Sequence, residues 1–496
     1  SSDFIEHLLK DPAIKVIACF IEGFKDGPKF LEVSRKALRL GKSIVLIKIG
    51  HSEAGSRAAL SHTAALTGSD AVHNYAFKQY GVIRADDYDD LVQTAHLLAY
   101  SPAPSSDGIA VVSHSGGISS LVSDHLGQAG FNLPPLTVKA KTELQQILGD
   151  FGWASNPADI TGFANRGEFQ QILNLLSEQR DTGVLVVATA GSNDQAEQIT
   201  NLKKRVHKPI IFLSTGGDDV TLGISRLQEA HIPVYYSPQR LAKSLRGLFD
   251  HNNKRKRGLK SCAKETTIKL HTPFPIGKHT LTEHKAKELL SNWGIPGTKE
   301  VQVNSLDEAV QASAIVGFPL ALKLESPLII HKTEAGVVKL NVENTKQLQR
   351  AYKEIVALGL KYSPQTVGAP VLIQEMITEG TEVIVGLSQD PTFGPVVLFG
   401  LGGIFVEAIN DVSIRVCPID KKDALEMVQE TKGSRLLQGF RGQPKGDIDE
   451  LIKSLLAVSD FARDLHDRKP ELDINPLIVL PEGRGVKCLD ALVTFR

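Results

Sequence analysis

The chain has 496 residues, enough for roughly three globular domains and too long for one core. Lys plus Arg and Asp plus Glu number 56 each, so no net field recruits nucleic acid or an anionic membrane, and any bound anion must be held by local geometry. The four cysteines (Cys19, Cys262, Cys417, Cys488) lack CxxC spacing, which excludes a zinc ribbon or disulfide framework and fits a reducing cytoplasm; no apolar run approaches the about 20 residues that cross a bilayer.

A helix-like opening leads into a strand over 16–21, a helix over 27–40 and a strand over 43–49. The loop 50–68 follows, then a helix over 69–80 that Gly81 stops. Short β-branched strands between helices predict a parallel sheet covered on its faces, the first domain, 1–103. Ser101-Pro102-Ala103-Pro104-Ser105-Ser106 breaks that pattern. A second α/β domain, 107–250, has strands at 108–112, 184–188, 209–213 and 233–236, each passing into a glycine- or serine-bearing loop, and reads as flavodoxin-like and doubly wound.

Residues 251–277 read as a linker, the basic run Asn252-Asn253-Lys254-Arg255-Lys256-Arg257 being a solvated stretch rather than a localisation or nucleic-acid signal. From 278 to 496 the texture changes. A helix over 283–293 precedes hairpin-like strands at 320–324 and 336–341 and a helix over 345–358, then strands at 371–376, 382–388 and 394–398. This order fits a mixed α+β nucleotide-binding domain. The chain has no initiator methionine and opens straight into a helix and strand, so it is expected to begin inside a larger protein.

The residues that carry chemistry begin with Ser61-His62-Thr63. A lone loop histidine is usually structural, but here hydroxyls flank it and Gly68-Ser69-Asp70 opens a helix directly after it. A helix N-terminus presents unpaired N–H groups and partial positive charge, suited to a phosphoryl group carried on His62. Glu22 ends a strand, either as a surface acid or as the carboxylate that fixes the His62 tautomer. In the second domain Ser113-His114-Ser115-Gly116-Gly117 passes from strand to helix, and small residues there let backbone amides approach a phosphate. Asn156-Pro157-Ala158-Asp159-Ile160-Thr161-Gly162 is a second polar turn that could share that crevice; plain turn chemistry is the other reading of both.

Lys323 lies inside an apolar strand, where an ammonium is costly unless it meets an anion such as a nucleotide phosphate. His331-Lys332-Thr333-Glu334-Ala335-Gly336-Val337 reads as a loop covering phosphates. Gln374-Glu375-Met376 ends a strand, where Glu375 suits an adenine amine or a ribose; Glu382 begins the next strand, and Gly402-Gly403 precede Glu407. Asp473-Ile474-Asn475-Pro476 and Asp490 place oxygen donors on adjacent strands, so that Asn475 and Asp490 could share Mg²⁺.

Taken in order, Lys323, His331-Lys332-Thr333, Gln374-Glu375-Met376, Gly402-Gly403-Ile404-Phe405-Val406-Glu407 and Asp473-Ile474-Asn475-Pro476-Leu477 resemble the ATP-grasp domain of ADP-forming acyl-CoA synthetases (acetate–CoA ligases), relatives of succinyl-CoA synthetase. Ser61-His62-Thr63 matches that family's phosphohistidine loop, and Ile21-Glu22-Gly23 the acidic residue that holds the histidine. The resemblance covers essentially the whole chain. It implies two flavodoxin-like, succinyl-CoA synthetase-like domains followed by an ATP-grasp domain. It also implies the reversible reaction acid + ATP + CoA ⇌ acyl-CoA + ADP + phosphate, with Mg²⁺ at the nucleotide and coenzyme A and a small carboxylic acid as substrates. His62, phosphorylated by ATP, passes its phosphoryl group to the carboxylate, and the CoA thiol attacks the acyl phosphate formed. His331 is either a second transient carrier or a phosphate hydrogen-bond donor.

Three departures accompany the match. Ala64 follows Thr63 where the family loop usually has glycine, and Val337 follows Gly336 where two glycines are usual. The family's N-terminal CoA-binding domain has no counterpart here, so it is expected in cis in a longer protein or on another chain, and a homo-oligomer is expected. The alternative is a non-catalytic acyl-CoA- or nucleotide-sensing module of a protein lysine acyltransferase; His62 together with Glu22 favours the enzyme.

Overall fold

The structure, a computed structural model, describes residues 1–50, 69–161, 167–216, 220–258, 279–326, 329, 332, 334–402 and 411–495. The chain divides into two compact units, one of residues 1–67 and 80–259 and one of residues 68–79 and 260–496. Three expected site residues, His62, His331 and Gly403, lie outside the described residues.

Among its described residues the first unit holds two parallel sheets. Strands β1 (Val16–Ile21), β2 (Ser43–Lys48) and β3 (Ile83–Arg84) form one, in that order. Strands β4 (Gly108–Ser113), β5 (Ala158–Asp159), β6 (Thr182–Thr189), β7 (Ile210–Ser214) and β8 (Val234–Tyr235) form the other, in the order β5-β4-β6-β7-β8. Every residue of β4, β6 and β7 is buried. The pleat sends alternate side chains into two separate cores: Ala110, Val112, Leu185, Val187 and Phe212 enter one, and Ile109, Val111, Val184, Val186 and Leu213 the other. A strand buried on both faces reads as a continuous apolar run, which is why the doubly covered architecture was visible in the sequence.

The expected linker is helical at its start. The basic run finishes a 20-residue helix, Pro238–Arg257, in which Lys254 is buried. Cationic residues in a last helical turn meet the negative end of the helix dipole, so the charge run belongs to the helix end.

The second unit carries a four-stranded antiparallel sheet and a seven-stranded one among its described residues. After β9 (His279–Thr280), strands β10 (Glu300–Val303), β11 (Leu320–Leu324), β12 (Val338–Val342) and β13 (Val371–Glu375) form the first, in the order β10-β13-β11-β12. The second sheet is built from β14 (Thr381–Asp390), β15 (Gly394–Leu401), β16 (Val412–Val416), β17 (Glu471–Val479), β18 (Val486–Cys488) and β19 (Ala491–Phe495), with β9 at one edge and β16 at the other. Alternation again decides the faces. Leu320, Leu322, Leu324, Val371 and Ile373 enter the core with helices Leu306–Val316 and Thr345–Tyr362, which leaves Ala321, Lys323 and Gln374 on the opposite face.

Helix Asp70–Gln79, expected within the first domain, belongs to the second unit and packs on edge strand β16. Tyr75 Oη donates to the Val412 carbonyl at 2.6 Å. The Gln79 amide caps the open edge at both of its ends: Nε2 donates to Val416 O at 3.0 Å, and Oε1 accepts from Val416 N at 2.9 Å. Beneath the helix, fully buried Arg415 lies 5.9 Å from the Tyr75 ring and forks onto Glu430 at 2.7 and 3.1 Å, while Lys78 reaches Glu430 at 2.9 Å. Helical periodicity reveals an apolar face, but not which sheet that face will cover.

Burial opposes ionisation of Glu430, but Arg415 and Lys78 outweigh it and hold the carboxyl at about 2, below its ordinary 4.5. Its folded value being the lower one, its stabilisation is complete above pH 4.5 and is lost as pH falls toward 2. The protection factor of the Val416 amide, its exchange taken against the intrinsic rate at each pH, should therefore fall across that acid range. Glu430→Gln should remove the dependence and, by leaving Arg415 poorly compensated, weaken local stability by about 3 kcal/mol.

Candidate functional site

A cavity of about 570 Å³ lies within the second unit. Its wall combines Ala321, Lys323, Gln374 and Glu375 of the smaller sheet, Glu382, Asp473 and Asn475 of the larger one, and Glu283, Glu325, Lys332 and Asp490 from helix and loops.

At its base is a buried carboxylate. Glu283 opens helix Glu283–Ser291, whose buried positions include Glu283, Ala286, Lys287 and Leu290. Glu283 Oε1 accepts from Lys287 Nζ at 2.9 Å and from Lys323 Nζ at 2.7 Å, and Oε2 accepts from Lys332 Nζ at 2.6 Å. Lys323 also donates to the Leu489 carbonyl at 2.8 Å. Lys287 donates to Glu300 and, at 3.3 Å, to Leu489 O. Burial opposes the charge on Glu283, but the three ammonium groups outweigh it and hold its carboxyl well below the usual range. Burial likewise opposes the charge on Lys287 and Lys332; Glu283, with Glu300 beside Lys287, raises both above the ordinary lysine value.

The anion expected beside Lys323 is thus, in the protein itself, Glu283. Sequence inspection passed over Glu283, yet a signal was there: positions 283, 286, 287 and 290 form an i, i+3, i+4, i+7 stripe that places a Glu and a Lys among core residues. Glu325 was missed as well. It is 2% exposed, with Lys332 3.6 Å away, and among the described residues its Oε2 has no hydrogen-bond partner. Gln374 is similar: Nε2 donates to Thr298 Oγ1 at 2.8 Å and to Leu489 O at 3.1 Å, while buried Oε1 lacks a described partner. Unspent polar atoms on a cavity wall suit a ligand with its own donors.

Other expected residues also line this cavity. Asp473 and Asn475 project from one face of β17 while Leu472 and Ile474 fill the core behind them. The Asn475 N–H donates to the Asp490 carbonyl at 3.2 Å, which sets the two residues side by side. Burial and the nearby Glu283 charge raise the Asp490 carboxyl above its ordinary value. A divalent cation would relieve that strain, and two oxygen donors open to a cavity suit Mg²⁺, which takes one or two protein ligands and completes its shell with phosphates and water.

Glu375 lines the wall but is engaged: its Oε1 accepts from Lys299 N at 2.7 Å and from Lys487 Nζ at 3.2 Å. Gly336 turns with φ +69° ahead of β12. A Cβ on Gly402 would fall 2.9 Å from Glu382 Cβ, so the close pairing of these two strand ends requires glycine.

The first unit brings its two polar turns together, because β5 pairs with β4 at Ser113↔Asp159. Ser115 caps helix Gly116–Gln128 without a side-chain hydrogen bond, and Gly117 follows Gly116 in its first turn. The position of a Cβ on Gly116 lies 3.0 Å from Asp159 Oδ2, so a carboxylate already faces this helix end. Asn156 is structural: its amide bonds Val111 N, Ile109 O and Pro134 O at 2.8–2.9 Å. Glu22 stands just past the end of β1 and is part-exposed.

Parallel α/β sheets in one unit, and in the other a cavity lined by residues of two antiparallel sheets that combines lysines with acidic and amide oxygens, define the class: a ligase-type architecture with an ATP-grasp domain. Residues 275–495 match the ATP-grasp domain model, and residues 1–98 match the succinyl-CoA ligase like flavodoxin domain. The chain belongs to the ADP-forming acid–CoA ligase family. It is 30% identical to a 4-hydroxybutyrate–CoA ligase (ADP-forming) of Nitrosopumilus maritimus over 99% of this chain and 72% of the relative. It is 33% identical to acetate–CoA ligase (ADP-forming) I of Archaeoglobus fulgidus over 98% of this chain and 71% of the relative. A separate subunit, the beta subunit of acetate–CoA ligase (ADP-forming) II of Pyrococcus furiosus, is 40% identical over 44% of this chain and 93% of its own length.

An Mg²⁺ ligand at Asp490 predicts that Asp490→Asn weakens binding of ADP in the presence of Mg²⁺ by about tenfold and leaves metal-free ADP binding unchanged. Calorimetric titration with and without Mg²⁺ reads both values.

Proposed function

We infer that this chain performs the phosphoryl-transfer chemistry of an ADP-forming acid–CoA ligase. ATP enters the cavity of the second unit, with Lys323 and Lys332 on its phosphates, Gly336, Gly402 and Gly403 allowing close backbone approach, and Glu375 and Glu382 toward the nucleoside. Asn475 and Asp490 would hold Mg²⁺, which supplies charge neutralisation for the phosphates when bound. A ring nitrogen of His62 attacks the γ-phosphorus, the bond to the bridging oxygen breaks and ADP leaves. Glu22 holds the other ring nitrogen and so fixes the tautomer.

In the second half the N–P bond of His62 breaks as a substrate carboxylate oxygen takes the phosphoryl group. The CoA thiol, losing its proton, then attacks the acyl carbon and releases phosphate. Ser115, Gly116 and Gly117 are assigned to the crevice that receives phosphate, and His331 to a hydrogen bond on the γ-phosphate or to a second, transient carrier role. The CoA-binding domain acts in cis or from another chain, as the separate subunits among the relatives support. We place the protein in the cytoplasm as a homo-oligomer. Three described cysteines are unpaired, and among the described residues no helix is long and apolar enough to cross a membrane.

The observation that carries this reading is the cavity lined together by Lys323, Lys332, Asn475 and Asp490. Incubation with γ-labelled ATP and Mg²⁺ tests it. The expected product is an acid-labile, base-stable phosphoprotein that His62→Ala abolishes; full labelling of that variant would refute the relay.

A further inference from the structure

Glu283 lies outside every motif assigned to the nucleotide, yet three lysines converge on its carboxylate, which is 3% exposed. Counting donors separates those lysines, since an ammonium has three N–H groups. Lys287 commits all of its donors, to Glu283, Glu300 and the Leu489 carbonyl, and does not line the cavity. Lys323 commits two, to Glu283 and the Leu489 carbonyl. Lys332 commits one to Glu283, with Glu325 3.6 Å away as a weaker partner. Among the described residues Lys323 and Lys332 therefore each keep a donor, and both line the cavity.

We propose that Glu283 is a positioning residue: anchored by Lys287, it holds the Lys323 and Lys332 ammonium groups so that their remaining N–H donors meet the phosphates of a nucleoside di- or triphosphate. The inference rests on the reading of this cavity as the nucleotide site. Lysine stems are long and flexible, and fixing two of them before the ligand arrives removes an ordering cost from binding. The carboxylate is bonded to Lys287 behind the cavity wall, so phosphate binding adds to the cluster without displacing it.

Adenosine and ADP together isolate this role, because adenosine brings the base and ribose but no phosphate. In Glu283→Gln the calorimetric Kd for ADP should rise at least about tenfold, while that for adenosine stays within about twofold. Lys287→Gln, which leaves the cavity wall untouched, should show the same selective loss at smaller size, and it answers the question should Glu283→Gln not fold. Equal weakening of both ligands in these variants would mean general structural damage and would overturn the proposal. Unchanged ADP affinity beside normal wild-type binding would overturn it while leaving the nucleotide site standing. Wild-type protein that binds no ADP would overturn both.

Discussion

A carboxylate shared by three lysines is the constraint on which the second unit turns. Glu283, Lys287, Lys323 and Lys332 come from one helix, one strand and one loop, and the Leu489 carbonyl ties them to the segment that carries Asp490. Removing such groups from water costs several kcal/mol per ion, a cost that only close and multiple pairing offsets. The arrangement therefore works as a unit: Glu283 raises Lys287 and Lys332 above the ordinary lysine value, and the three ammonium groups hold Glu283 ionised. Its product is a pair of ammonium groups held at the wall of the cavity that Asn475 and Asp490 also line, each with a donor unspent among the described residues.

The second constraint is within the second unit, where helix Asp70–Gln79 is fixed to edge strand β16. Tyr75, Lys78 and Gln79 each bond a residue of the second unit, and buried Arg415 ties that contact to helix Lys421–Glu430.

Much of this was legible in the sequence. The all-buried strands announced themselves as apolar runs, and Lys323 stood out because a cation in such a run needs an anion. Lys332, Glu375, Glu382, Asn475 and Asp490 were singled out by order and spacing, and all line the cavity of about 570 Å³. What escaped detection depends on tertiary partners. Glu283 looks like an ordinary acid in a first helical turn until Lys323, 40 residues on, and Lys332, 49 residues on, arrive at it. Helix Asp70–Gln79 follows the strands of the first unit in sequence, and only the strand edge at Val416 decides where it packs. Asn156 looked like turn chemistry, whereas its amide knits three backbone groups under β4.

The most direct test of the account is a crystal structure of this chain with Mg²⁺ and a non-hydrolysable ATP analogue. The account predicts phosphate oxygens within hydrogen-bond reach of the Lys323 and Lys332 ammonium groups, Glu283 still bridging both, and Mg²⁺ held between the phosphates and Asn475 and Asp490. Phosphates bound away from these lysines, or Glu283 swung clear of them to admit the nucleotide, would contradict it.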